Sequence, residues 1–134
     1  MIKYKNDYKY QLSEDYEVLI DFSDIVDEPI DTNFLTISDI GLHIKKGYAW
    51  DGATWYFDKS TIMRGSLVHD AMYQLIREGL IKMKERKRAD KLLESCCKED
   101  GMSSIEAKGV YWAVRAMGNT YVKPSSRREV LKAP

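Results

Sequence analysis

The chain has 134 residues, 44% of them apolar and 31% charged, and its 21 Lys and Arg balance 21 Asp and Glu. That length suits one domain able to bury a core without disulfides or a structural metal. A formal charge of zero argues against a dedicated nucleic-acid or membrane-surface binder, and no apolar run approaches the roughly 18 residues of a membrane span.

The charge is unevenly spread. Residues 1–59 hold 12 acids and 6 bases, residues 60–134 hold 9 acids and 15 bases, so an anionic partner would meet the second half. The only cysteines, Cys96 and Cys97, are adjacent. Such a pair reads as small buried hydrophobes on a helix rather than as a metal pair, which suits a reducing compartment. Nothing like a secretory leader opens the chain, so the expectation is a cytosolic protein, or one that leaves the cell by packaging or lysis.

Taken in order, residues 1–15 are polar, with Tyr4, Tyr8 and Tyr10 at even spacing, the pattern of an edge strand or ordered arm. Tyr16 to Phe22 is rich in β-formers and predicts a strand. Residues 23–32 are acidic, contain Pro29 and read as a loop. Phe34 to Ile37 predicts a short strand, Asp39-Ile40-Gly41 a turn, and Leu42 to Lys45 the returning arm of a hairpin. Lys46-Gly47 then turns the chain into Tyr48-Ala49-Trp50. The first half is thus expected to be a small antiparallel sheet.

Residues 51–59 read as a loop ending at Ser60 or Thr61, either a good helix N-cap. A helix follows to about Arg77, with Met63, Leu67, Ala71 and Leu75 at four-residue spacing and Val68, Met72 and Ile76 widening the stripe. Gly79 stops it. A second helix spans about 83–99, with Ala89, Leu92, Leu93 and Cys96 as its apolar face and Gly101 as its end. Ser103-Ser104-Ile105-Glu106 has the form of a capping box. The third helix runs to about Met117, with Ala107, Val110, Tyr111, Val114 and Met117 inward and Gly118 after its end. The residues past Pro124 read as a charged tail. The expected architecture is α+β in a single domain over 1–134: residues 1–59 mainly β, residues 60–118 mainly α, an antiparallel sheet packed on three helices, and a tail over 119–134.

Chemistry-bearing residues concentrate between Trp50 and Asp90. Asp51 precedes a glycine where a strand ends. His69 and Tyr73 share one side of the first helix, and Asp70 is rotated by about 100° from His69. These polar groups border an apolar stripe, and a charge so placed needs partners. Asp51, Arg64 and the Arg86/Asp90 pair are the ones in reach. The functional reading is a polar pocket with two possible chemistries. Asp51, His69 and Asp90 form a mixed nitrogen/oxygen ligand set suited to zinc or manganese. Alternatively His69, with Asp70 and Asp51, performs general acid–base work. Trp50, Thr54, Arg64, Tyr73 and Arg86 would then meet substrate, with Trp50, Trp55 and Tyr56 able to stack on a ring. The bland reading is a structural ion-pair network, which gathers the same residue types.

Two motif matches fail on context. His43, His69-Asp70 and Asp90 follow the order of HD-type phosphohydrolases, but that fold is all helical and His43 alternates with Leu42 and Ile44 as a sheet-face residue. A Ser66/His/Asp triad lacks a nucleophile elbow.

Three runs in this order carry a family resemblance: Gly47-Tyr48-Ala49-Trp50-Asp51-Gly52-Ala53-Thr54, His69-Asp70-Ala71-Met72-Tyr73 and Arg86-Lys87-Arg88-Ala89-Asp90. Over about residues 40–118 the chain resembles the phage and prophage proteins called domain of unknown function 1353. Many members place a proline soon after the Ser/Thr of the first run, where this chain has Trp55-Tyr56-Phe57. The resemblance implies a tailed-phage origin, a location in the host cytoplasm or the virion, and one shared site. It implies no activity. The expectation is a phage-encoded protein of uncharacterised activity, whose clustered Asp51, His69, Asp70 and Asp90 read as the pocket of a metal-dependent hydrolase. The alternative is a non-catalytic virion-associated or binding module, including a small-nucleotide sponge against host defence, whose partner is a small molecule or a phage or host protein.

Overall fold

A computed structural model describes residues 4–5, 10–50 and 60–121, with backbone alone at 4–5 and 118–121. The fold is α+β, strands first and helices after. The chain divides into two compact units, one of the described residues up to Trp50 and one from Ser60 onward.

The first unit holds seven described strands in two antiparallel sheets: β1 (Tyr4–Lys5), β2 (Tyr10–Leu12), β3 (Tyr16–Leu19), β4 (Ile30–Asp31), β5 (Leu35–Ser38), β6 (Gly41–Ile44) and β7 (Ala49–Trp50). The larger sheet has the order β3-β6-β5-β4 and the smaller β1-β2-β7. In the larger sheet, alternation puts the cross-strand pairs Leu35↔Ile44 and Ile37↔Leu42 on the buried face. Thr36, His43 and Glu17 line up across the other face. The expected hairpin turns at Asp39-Ile40 alone, with Gly41 already in β6 and paired with Ser38. A Cβ on Gly41 would run into the Val18 carbonyl, so the close approach of β3 requires glycine there.

Two details depart from the sequence reading. Ile30–Asp31 pairs with β5 inside the segment read as a loop. Tyr48-Ala49-Trp50 does not join the larger sheet, against the expectation of one sheet for the whole first half. The turn at Gly47, with φ 96°, instead delivers it to β2, where Gln11 pairs with Ala49 and Tyr10 with Trp50.

The second unit is a row of helices: α1 (Ser60–Arg77), a single 3-10 turn (Met83–Glu85), α2 (Arg86–Glu99) and α3 (Ser104–Tyr121). All seven apolar positions of the predicted α1 stripe are buried. Two glycines end the first two helices in the same manner. Gly79 (φ 75°) donates to Ile76 O while Leu80 donates to Leu75 O, and Gly101 (φ 108°) donates to Lys98 O while Met102 donates to Cys97 O. This pair of bonds is the Schellman closure, which needs a left-handed residue and so favours glycine. Ser103 caps α3 through Oγ, which accepts from Glu106 N at 3.2 Å.

Helices α1 and α2 pack closely at Gly65, where a Cβ would come within 2.9 Å of Leu93 Cδ1. Ile62, Leu93, Cys97, Met102, Ala107, Val110 and Val114 form the core shared by the three helices. Two features of α3 differ from expectation. α3 continues through Gly118 to Tyr121, and Met117 faces solvent. Among the described residues no helix is long and apolar enough to cross a membrane.

A candidate functional site around Asp90

The second helix opens with Arg86 and carries Asp90 one turn later on its buried side. Asp90 has no solvent exposure at all. An ionised carboxylate in that position must be surrounded by donors, and the neighbouring helices supply them. His69 Nε2 lies 2.7 Å from Asp90 Oδ1, and the Tyr73 hydroxyl donates to the same oxygen at 2.6 Å. Arg115 Nη1 donates to Oδ2 at 2.8 Å, and Arg86 Nη1 stands 3.7 Å from it. His69 and Tyr73 come from α1, Arg86 from α2 itself, and Arg115 from α3, so one carboxylate ties the three helices together.

The rest of the cluster is organised around this point. Their four-residue spacing brings the His69 and Tyr73 rings to 4.1 Å between centroids. Arg86 donates from Nη1 to the Tyr73 hydroxyl at 3.3 Å and to Val114 O at 3.2 Å, and from Nη2 to Arg115 O at 3.4 Å. The Arg86 guanidinium therefore also binds carbonyls in the middle of α3. Burial pushes the Asp90 carboxyl up, but the hydrogen bonds from His69, Tyr73 and Arg115 outweigh it. The group is held below its usual value and stays ionised. Burial, then the bond to Asp90, drives Tyr73 the other way, so it is a neutral donor.

Three of the predicted site residues, His69, Tyr73 and Arg86, thus meet Asp90. Asp51 and Thr54, with Trp55 and Tyr56, lie outside the described residues. Asp70 is half-buried on α1. Within the helical unit, Arg64 belongs elsewhere. Arg64 Nη2 binds Glu99 at 2.7 Å and its Nε binds Asp100 at 3.1 Å. It therefore clamps the far end of α2, about 15 Å of helix from Asp90 at 1.5 Å per residue. Trp50, in the strand unit, is fully buried in the smaller sheet, its ring 5.5 Å from that of Tyr10.

Arg115 was absent from the sequence reading. The signal available was a cation one turn beyond Tyr111, bordering the inward stripe of α3. His43 does occupy a sheet face, between Asp15 Oδ2 at 2.9 Å and Glu17 Oε2 at 3.0 Å. Burial raises the thiols of Cys96 to about 11 and Cys97 to about 12, so both are unreactive core residues.

Among the described residues no group of three or more His, Cys, Asp or Glu side chains is arranged to hold a metal ion. Comparisons with protein-family models, with curated proteins and with solved structures returned no match.

Proposed function

We propose that the helical unit presents His69 as a general base acting on a small anionic substrate, with phosphate esters the first class to test. The observation that carries this reading is the 2.7 Å contact between His69 Nε2 and the fully buried Asp90. An ionised carboxylate accepts Nε2–H and so leaves the lone pair on Nδ1. Nδ1 makes no hydrogen bond among the described residues. A buried acid that fixes ring and tautomer, with the opposite nitrogen available to take a proton from water, is the arrangement general-base catalysis requires. Two guanidiniums, Arg86 and Arg115, stand against the one carboxylate of Asp90, which favours an anion.

Asp90 does not fit a zinc or manganese ligand. Its Oδ1 is committed to His69 and Tyr73 and its Oδ2 to Arg115, with Arg86 close by. A divalent ion there would sit against two fixed positive charges. The hydrolytic role proposed for His69 is therefore independent of metal at Asp90. The family resemblance supports a phage origin and a place in the host cytoplasm or the virion.

The test is hydrolysis of a panel of small phosphate esters, nucleotides and carboxyl esters by the wild type and by His69→Gln. The Gln amide can still donate to Asp90, so melting should hold while kcat/KM falls by about 10²–10⁴-fold. Equal turnover by both proteins, or none by the wild type on any substrate, would remove the catalytic reading. One observation favours a second reading, a non-catalytic binding or virion module. Both Asp90 oxygens are satisfied by the chain itself, so the cluster is complete as a clasp between helices. Nucleotide binding by calorimetry without turnover, or recovery of the chain in purified particles, would select it.

A further inference from the structure

The outward face of α3 is apolar where a solvated helix should be polar. Ile105 is 88% exposed and Trp112 is 62% exposed, with the edge of the Trp112 ring set by the neighbouring Tyr111 at 5.1 Å. Gly109 and Ala116 lie between and beyond them on the same face, both exposed. A Cβ built on Gly109 would meet nothing within 4 Å. The spacing of these four positions is four, three and four, the seam of a two-helix contact.

From this pattern we infer that α3 is a self-association surface, pairing antiparallel with the α3 of a second copy about a two-fold axis. The occupant follows from the order of large and small residues. In an antiparallel pair centred between Val110 and Tyr111, Trp112 of one copy falls opposite Gly109 of the other, and Ile105 falls opposite Ala116. Each bulky side chain meets a small one, twice over, because a two-fold contact repeats itself. Parallel pairing would instead stack Trp112 on Trp112 and leave a gap at the Gly109 level. Each flanking cation has a carboxylate partner within its own chain, Lys108 with Glu94 at 3.1 Å and Arg115 with Asp90 at 2.8 Å. They do not repel a second copy as bare charges would. Because Arg115 also holds Asp90, the surface adjoins the candidate site, but the pairing does not depend on the function proposed for that site.

A contact of one helix on one helix lies below the roughly 1,200 Å² of standard interfaces, so association should be weak, with Kd in about the micromolar range. Sedimentation equilibrium of the full chain, from a few to several hundred micromolar, is the test. The wild type should pass from monomer to dimer, while Gly109→Arg and Trp112→Ser stay monomeric and melt like the wild type at low concentration. The double variant Ile105→Cys with Ala116→Cys should cross-link between copies on oxidation and Ile105→Cys alone should not, the native thiols being buried. A wild type that stays monomeric throughout, a dimer that survives Gly109→Arg, or efficient cross-linking by Ile105→Cys alone would each overturn the inference.

Discussion

Replacing Asp90 by Asn changes one oxygen to an amide and leaves size and shape almost unchanged, so it isolates the charge. In the native protein Oδ1 accepts from His69 and Tyr73, and Oδ2 accepts from Arg115 with Arg86 at 3.7 Å. An Asn can keep its oxygen on one side only. With oxygen toward His69 and Tyr73, the NH₂ group confronts two guanidiniums. With oxygen toward the guanidiniums, it confronts the Tyr73 hydroxyl and Nε2 of His69. Either way one set of buried donors loses its acceptor, and the two arginines lose their counter-charge. Removing one member of a buried ion cluster costs roughly 3–5 kcal/mol. For a chain of this size that corresponds to a drop in Tm of about 10–20 °C.

Thermal melts followed by far-UV circular dichroism, with urea titrations as a second route to the free energy, measure this loss. The pH dependence is a further check. The folded Asp90 sits below its ordinary value of 3.8, so its contribution is present above that value and is lost as pH falls through the folded one. The gap between wild type and Asp90→Asn should therefore be full at neutral pH and close in strong acid. A loss below about 1 kcal/mol at neutral pH would mean that water or relaxation replaces the missing acceptor, and would refute the description of Asp90 as the buried tie between three helices.

Other outcomes follow from the same geometry. Gly65→Val should destabilise the helical unit by roughly 1–3 kcal/mol, because the added atoms press on Leu93 and Cys96 where α1 and α2 touch; an unchanged urea midpoint would count against that close approach. Bonds to Asp15 and then Glu17 hold His43 above its usual 6.5, so its stabilising effect is complete below that pH and is lost as pH rises through the folded value. The urea midpoint of the wild type should fall over that alkaline-going window relative to His43→Gln, and identical pH profiles would remove the clasp. A strong chelator should leave Tm unchanged, since Asp90 is already held by protein donors; a chelator-dependent fall would reinstate a metal.

The helices are legible in the sequence because their signals are local. A four-residue apolar spacing, a capping serine and a following glycine all lie within one or two turns of the elements they define. The smaller sheet is not legible for the opposite reason. Gln11 and Ala49 lie far apart in sequence, and two- and three-residue strands carry too few side chains to announce a partner. The over-run of α3 has a similar cause. Glycine weakens a helix without forbidding it, and Gly118 continues this one where Gly79 and Gly101 take positive φ and end theirs.

The site itself lies between these extremes, because it follows from where the two Schellman turns fall. In an antiparallel helix pair, residues equally far before and after the turn stand at the same height. Measured from the first turn, beyond Gly79, the level of Asp90 on α1 is that of Tyr73 and His69, while Arg64 is carried up to the Glu99–Asp100 end. Measured from the second turn, at Gly101-Met102, the level of Asp90 on α3 is that of Val114 and Arg115. The partner missed in the sequence and the partner misplaced there are both corrected by this one rule. It needs only the centres of the two connections, midway between Arg77 and Arg86 and between Glu99 and Ser104, and the 1.5 Å rise of a helix. Asp90 is the carboxylate these turns bring level with a histidine, a tyrosine and an arginine at once. Moving either turn by a single residue would rotate those side chains by about 100° and dissolve the cluster without altering any of its members.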